Sequence, residues 1–581
     1  MDSDRIALTA EQGPPQANTR KSFSFGWMLW IAPLAFLGLF YFYPLASILI
    51  TSFEASSLDG RPIFLEVITS AVTADILWFT IWQALLSTGL TLLVGLPGAY
   101  LLARYRFRGK TLLRALTGIP FVLPTIVVAA AFNALLGPKG WVNLGLQSLL
   151  SLDSPPIQFN HTIGAILLAH VFYNTTIVLR LVGDYWGRLS PRLSQAANIL
   201  GANRWGTLRH VTIPMLMPAI LAAALLTFIF DFTSFGVILI LGGPRFATLE
   251  VEIYQQVIGR LNLAQAASLS ILQLACTLGL MIAYTWLSNR LTRPLDIQSK
   301  EVTQSRLITT GQKILAGSVI AFLLLLLTSP LVALATRAFT SFSSQGQLQG
   351  FTTTYFSALN QNPQNSIFFV PPWIAVRNSL LYAGATVIVA VAMGLPAAWA
   401  LARQQFSRLN RLLDPLLMLP LGTSAVTLGL GFIVALNQPP LNLRASPLLL
   451  PIAHSLVAFP FVVRSLTPAL RSVQPQLRRA AAVMGANRWQ VIRHIDLPLA
   501  GKAIFVAGIF AFTISIGEFG ASVMVVRPEF PTVPVMIFRY LSRPGALNYG
   551  QALALSTILM AVTGAGMILI ERLRVAEVGE F

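Results

Sequence analysis

Twelve long apolar segments are the feature of this sequence that most restricts its fold. A helix crosses a bilayer with roughly 20 consecutive, mostly apolar residues, and segments of this length recur along all 581 residues. Only 10% of the residues are charged, whereas soluble domains carry about 25%. The sequence therefore predicts an all-α polytopic membrane protein. The twelve predicted spans lie near residues 27–50, 78–103, 113–137, 162–183, 213–241, 266–289, 314–337, 374–402, 412–436, 447–468, 499–526 and 549–571.

The basic residues predict which way the chain crosses the membrane. Cytoplasmic loops of membrane proteins are enriched in Lys and Arg. With the N-terminus in the cytoplasm, most of the 40 Lys and Arg residues fall on that side, and the opposite orientation reverses the bias. We therefore predict that both termini are cytosolic, with polar tails at 1–26 and 575–581. The net charge of +19 then follows from topology, so the composition gives no reason to invoke nucleic acid.

One polar stretch occurs twice. Residues 201–210 are GANRWGTLRH, and residues 485–494 are GANRWQVIRH. Farther upstream, GLPGAYLLARYRF at 95–107 matches GLPAAWALARQQF at 394–406. The chain is therefore predicted to contain two homologous six-helix halves of the same orientation, which is a parallel repeat. The two predicted halves span 27–290 and 313–574, and a predicted cytosolic linker spans 291–312.

The repeated stretch lies in the loop between the fourth and fifth span of each half. In the first copy, Pro191 suits the first turn of a helix, and Gly201 suits the left-handed residue that ends one. Asn203 suits the cap of a second short helix, after which Pro214 marks the next span. Each loop is therefore predicted to be a bent pair of short amphipathic helices on the cytosolic surface.

Three functions compete for these loops. An amphipathic helix can rest on anionic lipid, and a helix-turn-helix can bind DNA. The tethers between spans argue against DNA binding. Two equivalent copies on one face favour a docking site for a soluble partner with two equivalent sockets.

These loops resemble the motif Glu-Ala-Ala-x₃-Gly-x₉-Ile-x-Leu-Pro of permease subunits from binding-protein-dependent bacterial ABC importers. The spacing from alanine to proline fits in both copies, while Gln195 and Arg479 replace the glutamate of the motif. The stretch SIGEFGA at 515–521 also resembles the span that follows this loop in such permeases. The resemblance covers nearly all of 75–574. In its length and its two fused halves, the chain resembles the two-domain permeases of the thiamine and ferric-iron type.

The resemblance implies the transmembrane fold of type I ABC importers, in a bacterial cell (inner) membrane. It implies that a periplasmic or lipid-anchored binding protein delivers the substrate, with thiamine slightly favoured over ferric iron. It also implies that two copies of a cytosolic ABC ATPase grip the loops and hydrolyse ATP. The residues expected to couple to the ATPase are Ala196, Ala197, Gly201, Asn203, Arg204, Trp205, Arg209 and Pro214 in the first loop and Ala480, Ala481, Gly485, Asn487, Arg488, Trp489, Arg493 and Pro498 in the second.

The sequence itself predicts no nucleotide site. Gly109-Lys110-Thr111 imitates the end of a phosphate-binding loop, but that pattern requires glycine where the chain has Arg104. The single cysteine, Cys276, and the five histidines form no cluster at metal-ligand spacing. We therefore predict a transport subunit that is not an enzyme and binds no cofactor or metal of its own.

Two acids lie within predicted spans. Asp231 and Glu518 are candidates for the translocation pathway, because burying an ionisable group in a membrane is costly. A structural role, capping or pairing, is favoured for Glu518. His170 and His454 match across the halves, which favours packing or hydrogen bonding within the fold. The alternative function is an ion-coupled secondary transporter with six-plus-six helices, which predicts ion-coupling charges at the midplane.

Overall fold

The protein is almost entirely helical in its computed structural model. The predicted N-terminal tail, most of the predicted linker and Pro191 lie outside the described residues. The described residues are 28–56, 60–190, 192–291, 304–342, 348–362, 369–402, 407–437, 439 and 441–578.

The first half opens with two helices joined by a π turn, Gly38–Phe42. Further π turns occupy Leu208–Thr212, Ile238–Gly242 and Gln255–Gly259, and Gly243–Arg245 forms a 3₁₀ turn. The α-helices of this half are α1 (Met28–Leu37), α2 (Tyr43–Glu54), α3 (Ile63–Thr69), α4 (Ala71–Arg104), α5 (Lys110–Val122), α6 (Thr125–Leu136), α7 (Trp141–Leu150), α8 (Ile163–Trp186), α9 (Arg192–Ile199), α10 (Arg204–Thr207), α11 (Ile213–Phe232), α12 (Leu249–Tyr254) and α13 (Leu263–Leu291).

The second half repeats this order. A π turn at Ile492–Asp496 matches the one at Leu208–Thr212, and Ala358–Asn360 forms a 3₁₀ turn. The α-helices of this half are α14 (Thr310–Ala338), α15 (Thr354–Ser357), α16 (Pro372–Ala402), α17 (Ser407–Gly422), α18 (Ala425–Ala435), α19 (Leu449–Ser472), α20 (Pro475–Val483), α21 (Arg488–Val491), α22 (Leu497–Gly517), α23 (Gly520–Val525), α24 (Val533–Leu541) and α25 (Ala546–Val578).

Four short strands accompany the helices. β1 (Tyr105–Arg106) pairs in parallel with β2 (Ser305–Arg306), which ties the start of the second half to the end of α4. β3 (Thr340–Phe342) and β4 (Leu348–Phe351) form an antiparallel hairpin after α14. Both pairs are small, and the all-α fold class is confirmed.

The prediction of about twelve membrane spans is confirmed. Eleven helical segments of the described chain are long and apolar enough to cross a membrane, and a twelfth consists of two helices bent by 96°. That bent pair is α17 and α18, so the prediction of a continuous span at 412–436 is wrong. A new helix starts there because the Ser424 hydroxyl accepts hydrogen bonds from the backbone N–H groups of Val426 and Thr427.

The continuous span predicted at 113–137 is also wrong, because the chain breaks between α5 and α6. Pro124 has no N–H to continue a helix. The residue before a proline is pushed towards extended backbone, and Leu123 has ψ 139°. The spans predicted at 213–241 and 499–526 end early as well, at Phe232 and Gly517. These segments are apolar over a length sufficient for one span, so apolar length alone does not reveal the breaks.

Glycine allows the long helices of each half to touch. α4 packs against α8, and the homologous α16 packs against α19. A Cβ at Gly95 would lie 2.6 Å from the Cβ of Val178, and a Cβ at Gly394 would lie 2.6 Å from Cγ1 of Val462. Small residues permit close helix contact in membranes, and both halves use the same positions for it.

The first helix of each half packs against the other half. α1 lies on α16, and α14 lies on α6. Trp30 and Phe36 are buried among side chains of the second half, while Leu327 is buried among side chains of the first. The Tyr41 hydroxyl hydrogen-bonds to the Thr423 hydroxyl at 2.6 Å. The two halves are therefore interlocked.

We expect Gly394→Val to lower the melting temperature of the purified protein, because overpacking a helix contact costs about 1–3 kcal/mol. Gly384→Val is the matched control, since Gly384 lies in the same helix and a Cβ there would meet nothing within 4 Å. Thermal unfolding in detergent measures both variants. Equal melting temperatures for the two would contradict the close contact at Gly394.

Candidate functional site

Two loops that carry the repeated stretch expose apolar side chains at homologous positions. Ile199 and Leu200, at the end of α9, are 86% and 88% exposed. Val483 and Met484, at the end of α20, are 89% and 87% exposed. Side chains of these apolar types are usually buried. We call these four residues the apolar tips.

A left-handed glycine shapes each apolar tip, as the sequence predicts. Gly201 has φ +88° and Gly485 has φ +87°, a conformation that costs glycine little and other residues more. The N–H of Ala202 donates to the carbonyl of Ala197 at 3.0 Å, and the N–H of Ala486 donates to the carbonyl of Ala481 at 2.9 Å. These bonds close the ends of α9 and α20.

Each loop continues differently from the prediction of two separate short helices. Asn203 and Asn487 do cap new helical turns, since their side chains accept hydrogen bonds from the N–H groups three residues later. These turns then run directly into α11 and α22, in helices that extend over 205–232 and 489–517. The second short helix is therefore the first turn of the next span.

A π turn makes this continuity possible despite a proline. In the first loop, the N–H of Ile213 donates to the carbonyl of Leu208, five residues earlier. Pro214 has no N–H and would clash with the carbonyl of the preceding turn. The wider π turn accommodates the ring, and the same arrangement precedes Pro498.

The remaining predicted coupling residues lie on the same surface. Trp205 and Trp489 are 67% and 64% exposed, and Arg209 and Arg493 are also exposed. The backbones of Arg204 and Arg488 open α10 and α21. Gln195 and Arg479, which replace the glutamate of the motif, are exposed as well. Ala196 and Ala197 lie on α9, and Ala480 and Ala481 lie on α20.

The second loop is braced by an ion pair that the first does not share. Nε of Arg478 lies 2.7 Å from Oδ1 of the buried Asp496. The position homologous to Asp496 is Thr212. In the first loop, the Thr207 hydroxyl instead donates to the side chain of Asn198 at 2.8 Å. Each loop is thus held to the span after it by different chemistry.

A cavity of about 380 Å³ lies between the two halves. All four helix breaks described above contribute to it, and many of its walls are aromatic. Phe230 lies near the end of α11 and Phe510 lies in α22, the two helices that follow the repeated loops. The aromatic residues that line it are Phe121, Tyr173, Phe230, Phe235, Phe461, Phe510 and Phe519.

Two homologous phenylalanines stack on each other where the halves meet. The ring centroids of Phe235 and Phe519 are 5.6 Å apart, with their planes at 21°. Behind them, Tyr254 packs against Phe235, and its homologue Phe538 packs against Phe519, each at 5.4 Å. We call these four residues the aromatic row. Phe235 and Phe519 line the cavity just beyond the ends of α11 and α22, the helices that follow the apolar tips.

The first predicted pathway acid, Asp231, lies in this cavity. It is 1% exposed. Its Oδ1 accepts a hydrogen bond from Asn174 at 2.6 Å and lies 3.4 Å from Nδ1 of His170. Nε2 of His170 lies 2.8 Å from the hydroxyl of Ser234.

The second predicted acid, Glu518, also pairs with a histidine but from the other side. Its carboxylate accepts hydrogen bonds from the N–H groups of Ala521 at 2.9 Å and Ser522 at 3.0 Å, and lies 3.3 Å from His454. It therefore caps α23, in agreement with the structural role that the sequence favours.

Acid and serine are exchanged between the halves. Asp231 is homologous to Ser515, and Ser234 is homologous to Glu518. Ser515 hydrogen-bonds to His454 at 2.8 Å. Each histidine therefore lies between one acid and one serine, in opposite order. The sequence predicts packing or hydrogen bonding for both histidines, and the structure shows hydrogen bonds. The alignment shows Ser515 opposite Asp231, but only the pairing of Ser234 with Glu518 reveals the exchange.

A third carboxylate, Glu250, was not among the sequence candidates. It is fully buried and lines the cavity. The side chain of Gln273 donates to Oε1, and the hydroxyl of Ser424 donates to Oε2. Ser424 caps α18 of the other half, so Glu250 joins the two halves at a helix break. Only the tertiary fold brings these groups together.

A family model described as binding-protein-dependent transport system inner membrane component matches residues 95–293 and 390–573. The thiamine transport system permease protein ThiP of Escherichia coli (strain K12) is 28% identical over 495 residues, which cover 83% of this chain and 87% of the relative.

Two further relatives align over more of the chain. The thiamine transport system permease protein ThiP of Haemophilus influenzae is 25% identical over 541 residues, covering 91% of this chain and 94% of the relative. The probable ABC transporter permease protein y4fN of Sinorhizobium fredii is 27% identical over 552 residues, covering 92% and 94%. The similarity therefore extends over both halves.

We expect Glu250→Ala to lower the melting temperature, because it leaves the Ser424 hydroxyl and the Gln273 amide without their acceptor. An unsatisfied buried donor costs about 1–3 kcal/mol. Glu529→Ala is the control, since its exposed side chain makes an ion pair with Arg527 at 3.7 Å outside the cavity. Thermal unfolding of both variants in detergent tests this, and an unchanged melting temperature for Glu250→Ala would exclude it as a link between the halves.

Proposed function

The chain belongs to the family of binding-protein-dependent transport system inner membrane components, and we propose that it forms the pore of a thiamine importer driven by two ATPase subunits. As a member of this family, it is the multi-pass permease component of an ABC importer in the inner membrane. A substrate-binding protein and an ABC ATPase are the partners that the family implies. Membership of this family therefore argues against an ion-coupled secondary transporter.

The apolar tips are the observation that carries the coupling proposal. Leaving four large apolar side chains nine-tenths exposed is unfavourable in water, and clusters of this kind mark interaction sites. They occur at homologous positions of one pseudo-symmetric molecule, so the partner is two copies of one subunit. In this proposal the partner subunits bind and hydrolyse ATP, and this chain binds no cofactor of its own.

The proposed orientation places the apolar tips and both termini in the cytosol. The basic residues that follow α4 and that flank α9 and α20 support it through the positive-inside rule. The binding protein then delivers substrate at the opposite face. Contact of the apolar tips with lipid is the competing interpretation, and it predicts no loss of ATPase binding when they become charged.

The aromatic row is proposed as the barrier of the pathway. In this proposal, the stacked Phe235 and Phe519 close the pathway between the halves, and the cavity opens towards the apolar tips. Closure of the ATPase dimer would pull the two loops together and separate this pair, so that substrate enters from the binding protein. Asp231 lines the path, while Glu518 holds the helix break beside it.

Thiamine is proposed as the substrate because several relatives are named as thiamine permeases. The test reconstitutes the chain in liposomes with its ABC ATPase and substrate-binding protein. We expect ATP-dependent accumulation of radiolabelled thiamine and none of ferric iron. Accumulation of iron without thiamine would overturn the proposal.

We expect Leu200→Asp combined with Met484→Asp to weaken ATPase binding at least about tenfold, because removing an interface anchor typically costs about 2 kcal/mol or more. Leu261→Asp is the matched control, since Leu261 is 80% exposed outside the two loops. Co-purification and substrate-stimulated ATP hydrolysis in lipid measure the effect. Undiminished binding by the double variant would refute docking at the apolar tips.

We expect Phe235→Ala combined with Phe519→Ala to let preloaded thiamine leak from proteoliposomes without ATP, because the stacked rings close the path. The control replaces Phe53 and Phe64, an aromatic pair at 4.7 Å outside the cavity, with alanine. Passive efflux is measured over time. Equal efflux from both double variants would place the barrier elsewhere.

A further inference from the structure

The three carboxylates of the cavity differ in how fully their oxygens are hydrogen-bonded. Both oxygens of Glu250 and both oxygens of Glu518 accept hydrogen bonds. Oδ1 of Asp231 accepts one from Asn174, but Oδ2 has no hydrogen-bond partner among the described residues, although the residue is 1% exposed. The Ser87 hydroxyl is near the carboxylate without an ideal hydrogen-bond geometry.

An unpartnered carboxylate oxygen in a protein interior is unusual. Nearly all buried polar atoms have a hydrogen-bond partner, and exceptions often have a functional reason. Burying a charged oxygen without a partner is costly unless a cation pairs with it. Because Asp231 lines the cavity, a molecule in the cavity can supply that missing partner.

The walls of the cavity favour one class of cation. Phe121 and Phe230, 6.1 Å apart, and Tyr173, Phe461 and Phe510 present aromatic rings to it. A ring face attracts an organic cation by about 0.5–2 kcal/mol, more strongly when water is excluded. No Lys or Arg occurs among the described residues that line the cavity.

A small metal ion suits this cavity less well. Hard metal cations prefer six or more oxygen ligands, and the described residues offer one free carboxylate oxygen beside aromatic rings. A ring-sized organic cation with spread charge loses less hydration energy, and the volume of about 380 Å³ is that of a small-molecule pocket.

We propose that Asp231 and the surrounding aromatic rings form a binding site for an organic cation inside the membrane. This inference rests on the proposed function only in taking that cation to be the imported substrate. The site holds the cation after it passes the aromatic row and before it leaves towards the apolar tips. The carboxylate with the unpartnered oxygen belongs to the first half, so the cation binds off the pseudo-twofold axis.

The test uses the assembled transporter in lipid nanodiscs without the binding protein. The probes are benzyltrimethylammonium and its neutral isostere neopentylbenzene, which have the same shape and differ in charge. We expect wild type to bind the cation about tenfold more tightly than the isostere, which corresponds to about 1.4 kcal/mol. Equilibrium dialysis measures both affinities.

Two variants remove the carboxylate. Asp231→Asn keeps its size, and Asp231→Ser copies the residue that the second half has at this position. We expect both to bind cation and isostere within twofold of each other. Glu252→Gln is the control, because Glu252 is a buried carboxylate of the same half that lies outside the cavity and pairs with Arg260 at 2.7 Å. It should keep the tenfold preference.

Two outcomes overturn the inference: no cation preference in wild type, or a preference that survives in both Asp231 variants. Thiamine uptake is measured separately for the same variants, in liposomes that contain the transporter, the ATPase and the binding protein. Uptake of thiamine without cation preference refutes the site and leaves the proposed substrate standing. Cation preference that depends on Asp231, without thiamine uptake, supports the site and refutes the substrate.

Discussion

The constraint on which this structure depends is that four helices end inside the apolar layer. Backbone groups in lipid cannot bond to water, so irregular backbone is tolerated only where it is buried in protein or lines a cavity. The breaks after Val122, Phe232, Gly422 and Gly517 all meet that condition, since they surround one cavity. Ser424 and Glu518 supply acceptors for the helices that begin there. The cavity, the aromatic row and the buried acids are consequences of these breaks.

The interlocked halves determine how motion at the loops can reach the breaks. The continuous helical segments that contain α11 and α22 run from Trp205 and Trp489 to the edge of the cavity. A displacement of either loop therefore moves the end of a stiff helix close to Phe235 or Phe519. Because α1 and α14 each pack on the opposite half, such a displacement tilts whole groups of helices. The continuous helices, together with the packing of α1 and α14 on the opposite half, favour rigid-body rocking of two groups of helices over local unfolding.

The sequence predicts the parts of this molecule that are repeated or local. The twofold repeat, the spans and the left-handed turns at Gly201 and Gly485 follow from alignment, apolar length and the conformational freedom of glycine. The breaks are missed because an apolar residue favours the membrane equally in one helix or two. Glu250 is missed because its partners, Gln273 and Ser424, are distant in the chain and belong to different halves. The free oxygen of Asp231 follows from the geometry of Asn174 and His170, which no spacing rule contains.

The exchange of acid and serine around His170 and His454 has a consequence for why both halves share one polypeptide. In an assembly of two identical subunits, every residue near the axis occurs in pairs, so a carboxylate there faces its own copy and the two repel. A fused chain can place its two acids at non-equivalent positions, Asp231 and Glu518, while it keeps paired surfaces for a paired motor. Gene fusion thus allows one molecule to combine a symmetric docking surface for the ATPase with an asymmetric arrangement of acids around the substrate.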